Sequence, residues 1–244
     1  MIGFMYDGNG FAGYQVQPKG ETIQQVLEEA IAKVVSHKVA VVASGRTDAG
    51  VHAIEQVGHF DLLNDGISLD NLVRGTNSFL PSGIAVLWAK EVDKNFHAQK
   101  TAKKKTYRYI CYQSDVELPL FVGRAAWIRG DVDVEAMKKA ALCLVGEHDF
   151  SSFCASNSGR VDFVRTIYSI EIEKQNGIVP LIVFEVCGNG FLYKMVRNIV
   201  GLLLEVGQGR RKPEDVNGIL RAKDRKLSGK TAPACGLYLK KVEY

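Results

Sequence analysis

The longest apolar helical pattern in this chain is FLYKMVRNIVGLLLEV, which spans residues 191–206. Its polar side is narrow, because charged side chains occur only at Lys194, Arg197 and Glu205. A helix that is apolar around most of its circumference must be covered on nearly all sides. We therefore predict that this helix lies deep in a core, which 244 residues with 46% hydrophobic content are able to build.

Strand and helix patterns occur in both halves of the chain, which favours an α+β fold. The predicted helices cover residues 21–35, 69–79, 133–145, 191–206 and 213–221. The predicted strands cover residues 1–8, 39–43, 54–60, 84–92, 106–112, 165–174, 181–188 and 236–244. No clear repeat is visible, but the similar content of the halves predicts two related α+β subdomains, residues 1–100 and 101–244.

The loop SGRTDAGVHA, residues 44–53, lies between two strand patterns. Gly45 and Gly50 predict a tight loop with unusual backbone angles at both ends. Arg46 and Asp48 lie between these glycines, and their presence on a fixed loop favours either a functional site or a surface ion pair. The loop segment alone leaves both interpretations open.

The segment KTAKKKTYR carries five cations and no acid, although the net charge of the whole chain is only +4. Lysines and arginines beside an aromatic ring are typical of phosphate contact combined with base stacking. The five cations are Lys100, Lys103, Lys104, Lys105 and Arg108, and the aromatic residue among them is Tyr107. The alternative is a solvated charged face.

Several functional classes are not supported by the sequence. The GRTDAG spacing lacks the Lys and Ser or Thr of a phosphate loop, and there is no third glycine after GNG for a dinucleotide site. The histidines and five cysteines form no H-E-x-x-H or C-x-x-C pattern, so we expect no metal, no other cofactor and reduced thiols. No long apolar run or leader pattern is present, so we expect a cytoplasmic protein with no membrane association.

Five separated blocks resemble the bacterial tRNA pseudouridine synthase A family. They are YDG with FAGYQ (6–15), GRTDAGVHA (45–53), FHA with KTYRY (96–109), GFLYKMVRNIVG (190–201) and TAPACGLYL (231–239). The resemblance extends over nearly the whole chain. It implies an isomerase that converts uridine to pseudouridine in the anticodon stem-loop of tRNA, at tRNA positions 38, 39 and 40.

The resemblance also implies a fold and partners. Two similar α+β subdomains would share one mostly antiparallel sheet flanked by helices, with a basic cleft between them. The protein would act as a homodimer that binds the anticodon arm of tRNA, without metal or organic cofactor.

Site residues follow from the matching positions. The family's catalytic aspartate falls on Asp48 and its neighbouring arginine on Arg46, while the arginine that pairs with the catalytic acid falls on Arg197. The tyrosine that stacks on the target base falls on Tyr107. RNA contacts are expected at Lys103, Lys104, Lys105 and Arg108.

These residue types suit the reaction, in which a carboxylate can assist departure of the uracil and be released again. A nearby arginine would favour the ionised nucleophile, and an aromatic ring can hold a flipped base. Whether the carboxylate attacks base or ribose stays open. The alternatives are an inactive tRNA-binding protein of the same fold and an enzyme with another RNA target. The departures from the family pattern, at Gln99, Lys194, Glu55 and Cys235, concern substrate choice first.

Overall fold

The computed structural model describes residues 1–63, 66–155 and 162–244. Its strands are β1 (Ile2–Tyr6), β2 (Val42–Ala43), β3 (His52–His59), β4 (Ile84–Ala89), β5 (Lys104–Gln113), β6 (Ala126–Ile128), β7 (Gly146–Asp149), β8 (Val164–Gln175), β9 (Leu181–Gly188) and β10 (Leu237–Glu243). Its α-helices are α1 (Ile23–Val35), α2 (Leu69–Phe79), α3 (Val134–Leu142), α4 (Met195–Gly207) and α5 (Asp215–Ala222).

The described residues divide into two compact units. The first contains Met1–Lys103 and Tyr238–Tyr244, and the second contains Lys104–Leu237. The last seven residues therefore belong with the first hundred, which the sequence does not suggest. The division into domains 1–100 and 101–244 stays a prediction.

In the first unit, neighbouring strands follow the order β4, β1, β3, β10. The short strand β2 pairs with Gly58 and His59 at the end of β3. All pairs are antiparallel except β3 with β10, where Tyr238 lies opposite His52. Helix α1 packs against α2, and α2 packs against β4. This arrangement places the loop between β2 and β3 at one end of the central strand β3.

Helix α1 shows why this segment folds as predicted. Its buried residues recur at helical spacing and are Ile23, Leu27, Ala30, Ile31 and Val35. The Thr22 hydroxyl caps the first turn by accepting from the Gln25 amide at 3.3 Å, which satisfies a donor that has no partner inside the helix. The helix ends at Ser36, whose left-handed backbone (φ 60°) stops propagation.

In the second unit, strands β5, β9, β8 and β7 are neighbours in that order and pair antiparallel, while β6 runs parallel to β5. The predicted hairpin corresponds to β8 and β9. The α+β class with mostly antiparallel pairing is thereby confirmed. The short strands β6 and β7 were not predicted, because three or four residues are too few to show an alternating pattern.

Helix α4 is the apolar helix of the sequence, and most of its residues are buried as predicted. It begins at Met195 rather than at Phe191, because Lys194 adopts a left-handed backbone with φ of 58°. The 13 residues of α4 also equal, rather than exceed, the length of α1. Gly201 lets the segment that contains Lys230 approach so closely that a Cβ atom would overlap the Lys230 carbonyl.

In the part of the chain that the structure describes, every helix is too short or too polar to span a bilayer.

Candidate active site

The loop that carries Asp48 is anchored at its first residues by Gln56 of β3. The amide of Ser44 donates to the Val57 carbonyl at 2.7 Å, and the Ser44 hydroxyl donates to Gln56 Oε1 at 2.6 Å. Gln56 Nε2 in turn donates to the Gly45 carbonyl at 2.8 Å. Gln56 and Ser44 are fully buried, so these bonds form in a medium where losing one is costly.

Thr47, the residue before Asp48, is held by the strand and loop near the start of the chain. Its hydroxyl lies 2.8 Å from the Tyr6 hydroxyl, and its carbonyl accepts from the Tyr14 amide at 3.0 Å. Burial raises the pKa of Tyr6 to about 12, so this hydroxyl remains a neutral hydrogen-bonding group at physiological pH. Gly13, with φ of 100°, brings its backbone against the loop, since a Cβ there would lie 2.9 Å from the Thr47 carbonyl oxygen.

Asp48 begins a tight turn, because its carbonyl accepts from the Val51 amide at 3.1 Å. Gly50 within this turn has φ of 76°. Gly45 is not among the described glycines with positive φ, so the prediction of unusual angles is right for one end of the loop only. The Asp48 side chain is half-buried and Arg46 is exposed. A half-buried carboxylate on a fixed turn can meet a ligand without large rearrangement.

A buried histidine ties the loop to the YDG segment, and sequence reasoning gave it no role. Nδ1 of His52 accepts from the Gly8 amide at 3.0 Å and lies 3.2 Å from Asp7 Oδ1. The His52 ring also stacks on Tyr238 at a centroid distance of 4.5 Å. The signal was the joint presence of YDG and GVHA, but only the fold shows that the two motifs are in contact.

Tyr107 lies on β5 in the second unit, opposite Val186 of β9. Its side chain is 9% exposed, and its ring meets Phe191 edge to face at 5.2 Å between centroids. Phe191 lies in the segment before α4, which begins at Met195. The GFLYK segment thus brings an aromatic ring to Tyr107 as well as leading into α4.

The predicted RNA-binding cations differ in their surroundings. Lys103 is exposed, whereas Lys104 Nζ lies 5.5 Å from the centre of the Tyr168 ring, and Lys105 is half-buried. Arg108 Nε and Nη2 donate to Glu185 Oε1 at 2.9 and 2.7 Å. The Arg108 charge is therefore compensated by the neighbouring strand β9.

Arg197 is on the first turn of α4 and is half-buried. Its Nε donates to the Ala232 carbonyl at 2.8 Å, and its own carbonyl accepts from the Ala232 amide at 3.1 Å. Burial raises the pKa of Cys235 and of Tyr109, while the Arg197 charge acts in the opposite direction on both. Arg197 thus lies beside the TAPACG segment, which the sequence identified as a motif without a role.

Three of the four departures from the family pattern have ordinary environments, whereas Lys194 has the uncommon left-handed backbone that precedes α4. Glu55 accepts from the Trp88 indole at 3.1 Å, Gln99 is exposed, and Cys235 Sγ lies 3.6 Å from the Ala125 carbonyl. Lys194 Nζ lies 5.0 Å from the centre of the Tyr193 ring.

Over residues 1–63, 66–155 and 162–244, no cluster of three or more His, Cys, Asp or Glu side chains is placed to hold a metal ion.

Comparison with known proteins assigns the chain to a family. The family model described as tRNA pseudouridine synthase matches residues 3–99 and 140–244. Among curated proteins, the tRNA pseudouridine synthase A of Bordetella petrii is 42% identical over 100% of this chain and 90% of the relative. The proteins of the same name from Limosilactobacillus reuteri and Thermoanaerobacter are 44% and 43% identical, again over 100% of this chain and over 95% and 98% of the relatives.

Among solved structures, an archaeal box H/ACA sRNP Nop10-Cbf5 complex matches over 84% of this chain and 44% of that one. Its TM-score of 0.35 and identity of 16% carry no structural argument. The sequence matches are independent of it and extend over the whole length of the chain. By these matches, the chain belongs to the tRNA pseudouridine synthase family.

Proposed function

We propose that this chain is an isomerase that converts uridine to pseudouridine in the anticodon stem-loop of tRNA. The observation that carries the proposal is the identity of 42–44% over the full chain with relatives named tRNA pseudouridine synthase A. The three tRNA positions stated above are part of the proposal. In the reaction, the C1′–N1 bond breaks and a C1′–C5 bond forms, while C5 loses a proton and N1 gains one. Because the product is an isomer of the substrate, no redox cofactor or energy source is needed.

Asp48 is the proposed nucleophile. A carboxylate can form an ester-like adduct and leave again, which splits the transfer into two easier steps. This role is supported by the backbone around Asp48. The Thr47 hydroxyl is hydrogen-bonded to Tyr6, the Thr47 carbonyl accepts from the Tyr14 amide, and the Val51 amide closes the turn at Asp48. Such a fixed backbone keeps a reacting group in position and avoids an entropic cost during the reaction. Arg46, two residues earlier and exposed, would favour the ionised carboxylate or contact a phosphate.

Tyr107 and Arg197 are the proposed partners of Asp48 in the second unit. The Tyr107 ring would cap the flipped uracil, and Phe191 supports this role by holding the ring edge to face. The Arg197 guanidinium would compensate the charge of the carboxylate and stabilise charge that develops on the departing base. The bond from its Nε to the Ala232 carbonyl supports this role, because it holds the guanidinium in one orientation.

The tRNA would be bound largely through phosphates by Lys103, Lys104 and Lys105, with Arg108 as a further proposed contact. The pairing of Arg108 with Glu185 makes Arg108 the weakest member of this set. We also include in the proposal that the protein is a homodimer, on the basis of the family resemblance, and that it acts in the cytoplasm, as the sequence predicts.

Release of tritium from tRNA labelled at C5 of uridine tests the proposal directly, because only isomerisation frees that hydrogen. Whole tRNA made with labelled uridine should lose tritium with the wild-type chain and keep it with Asp48→Ala. Tight tRNA binding without tritium release by the wild type would instead identify the inactive tRNA-binding protein. Release from another RNA, but not from tRNA, would identify a different substrate.

A further inference from the structure

Arg225 lies in a short 3₁₀ turn, Arg225–Ser228, outside the segments to which a role has been given. Its guanidinium donates four hydrogen bonds, all to neutral oxygens. Nη1 donates to the Ser228 hydroxyl at 3.0 Å and to the Gly229 carbonyl at 2.9 Å. Nη2 donates to Asn198 Oδ1 at 2.9 Å and to the Thr231 hydroxyl at 2.7 Å. The rigid fork of an arginine is suited to fixing several acceptors at once.

Asn198 connects this guanidinium to α4, and it directly follows Arg197 in the chain. Its side chain is fully buried, and its Nδ2 donates to the Phe153 carbonyl at 2.7 Å. Its Oδ1 accepts from both Arg225 and the Thr231 hydroxyl, the latter at 2.7 Å. Arg225, Asn198 and Thr231 therefore form a closed triangle of hydrogen bonds, which we call the Arg225 triangle.

The Arg225 triangle fixes the chain one residue away from the group that orients Arg197. Thr231 is followed by Ala232, whose carbonyl accepts from Arg197 Nε and whose amide donates to the Arg197 carbonyl. The same segment touches α4 at Gly201, where only a glycine leaves room for the Lys230 carbonyl. Glu205 Oε1 also accepts from the Lys230 amide at 3.0 Å. A shift of residues 230–232 would thus move the oxygen that holds the Arg197 side chain.

We propose that Arg225 is a positioning residue for Arg197, which it orients through Thr231 and the Ala232 carbonyl. Arg225 touches neither the uridine nor the tRNA in this mechanism. The inference rests on the proposed function, because it gives Arg197 a part in isomerisation. A displacement of about 1 Å at a reacting group lowers a rate by roughly 100-fold, so loss of the Arg225 triangle should slow the chemical step rather than weaken tRNA binding.

The principal test compares Arg225→Gln with Arg225→Lys and with the control Arg74→Gln. Arg74 is an exposed arginine on α2 that donates to Asn71 of the same helix at 3.1 Å, so the control removes the same group from a site unrelated to the proposal. Single-turnover tritium release by Arg225→Gln should be about 100-fold slower, with the tRNA Kd changed by less than about twofold. Arg225→Lys should regain part of the rate, and Arg74→Gln should match the wild type. All variants are measured below the melting temperature of the least stable one.

A double variant separates positioning from a general loss of structure. If Arg225 acts through Arg197, adding Arg225→Gln to Arg197→Lys should slow the reaction little further. Multiplied rate losses, or a raised tRNA Kd at an unchanged rate, would overturn the proposal.

An NMR measurement does not depend on activity and so distinguishes failure of this inference from failure of the proposed function. The Arg197 Nε–H signal, assigned by its absence in Arg197→Lys, should exchange slowly with water in the wild type and faster in Arg225→Gln. Unchanged exchange would overturn the positioning role even if the wild type is an active isomerase. A wild type that forms no pseudouridine would overturn the proposed function, and the exchange result would still decide whether Arg225 orients Arg197.

Discussion

The Asp48 loop and the basic run 100–108 were both predicted to carry site residues, and the structure surrounds them with different kinds of contact. Neutral groups from distant parts of the first unit, Tyr6, Tyr14 and Gln56, hold the loop. The members of the basic run share a sign of charge and little else, since Arg108 is paired with Glu185 while Lys103 is exposed. The glycines around Asp48 thus indicated a loop whose backbone is fixed by contacts. The cluster of cations indicated only a local excess of positive charge, so the role of each cation depends on the side chains around it.

The strongest test of the loop removes its carboxylate. Asp48→Ala should abolish tritium release from C5-labelled tRNA and leave tRNA affinity nearly unchanged, because phosphate contacts supply most of the binding free energy. Asp131→Ala, which removes an exposed carboxylate from the second unit, is the matched control and should behave like the wild type. Activity of Asp48→Ala near that of the control would disprove the assignment of the nucleophile.

The rigidity of the loop can be tested through Gly13, with Gly10 as the control. Both glycines have positive φ, but a Cβ at Gly10 meets nothing within 4 Å, whereas one at Gly13 lies 2.9 Å from the Thr47 carbonyl oxygen. Gly10→Ala should lower the free energy of unfolding by about 1 kcal/mol through backbone strain, and Gly13→Ala by about 2–3 kcal/mol or more. Urea denaturation measures both. Equal losses would mean that the close approach to the loop contributes nothing.

Tyr107 tests whether stacking, rather than the hydroxyl, is its role. Tyr107→Phe should keep most of the single-turnover rate, whereas Tyr107→Leu should lose stacking worth about 1–3 kcal/mol. Tyr107→Leu also loses the edge-to-face contact with Phe191, so both rates are measured below the melting temperature of the less stable variant. If the two variants have the same rate, the ring does not hold the base.

The smallest expected effects concern the basic run, and they sharpen the contrast with the loop. Replacing Lys103, Lys104 and Lys105 by Ala should flatten the dependence of log Kd on log salt by about 0.7–0.9 for each phosphate that the variant no longer neutralises. Arg108→Gln should flatten that slope by less than one lysine does, since Glu185 already compensates part of the Arg108 charge. A slope that is insensitive to the three lysines would make the run a solvated face, and a change in Arg108→Gln as large as that of a lysine would show that the pairing with Glu185 does not weaken the phosphate contact.

Local features of the fold were predictable because they depend on local chemistry. The period of buried residues and the Thr22 cap indicated α1, and continuous apolar stretches indicated β9 and α4. The start of α4 was missed because a left-handed Lys194 carries no pattern of its own, as such a backbone is uncommon for residues other than glycine.

Non-local features could not be predicted from one sequence. The pairing of Arg108 with Glu185 depends on the register of β5 with β9, and the contact of His52 with Asp7 depends on the position of β3 beside β1. The proposed site residues Asp48, Tyr107 and Arg197 came from the family resemblance, because residue spacing alone left each of them with an ordinary structural explanation. Gln56, which anchors the Asp48 loop, and Arg225, which lies near Arg197 in the fold, belong to no chemical motif of the sequence. Only the hydrogen bonds of the folded chain show that they hold these segments in place.

The parallel pairing of β10 with β3 has a consequence for how the protein is made. Residues 238–244 complete the first unit, yet the ribosome adds them only after all of the second unit has been synthesised. During translation, β3 therefore keeps one edge with unpaired backbone groups, and His52 lacks the Tyr238 ring that will cover it. Domains commonly fold one after another as they emerge, but here the first unit to emerge is the last to be finished. The loop that carries Asp48 directly precedes β3, so we expect the proposed site to be completed only at the end of synthesis.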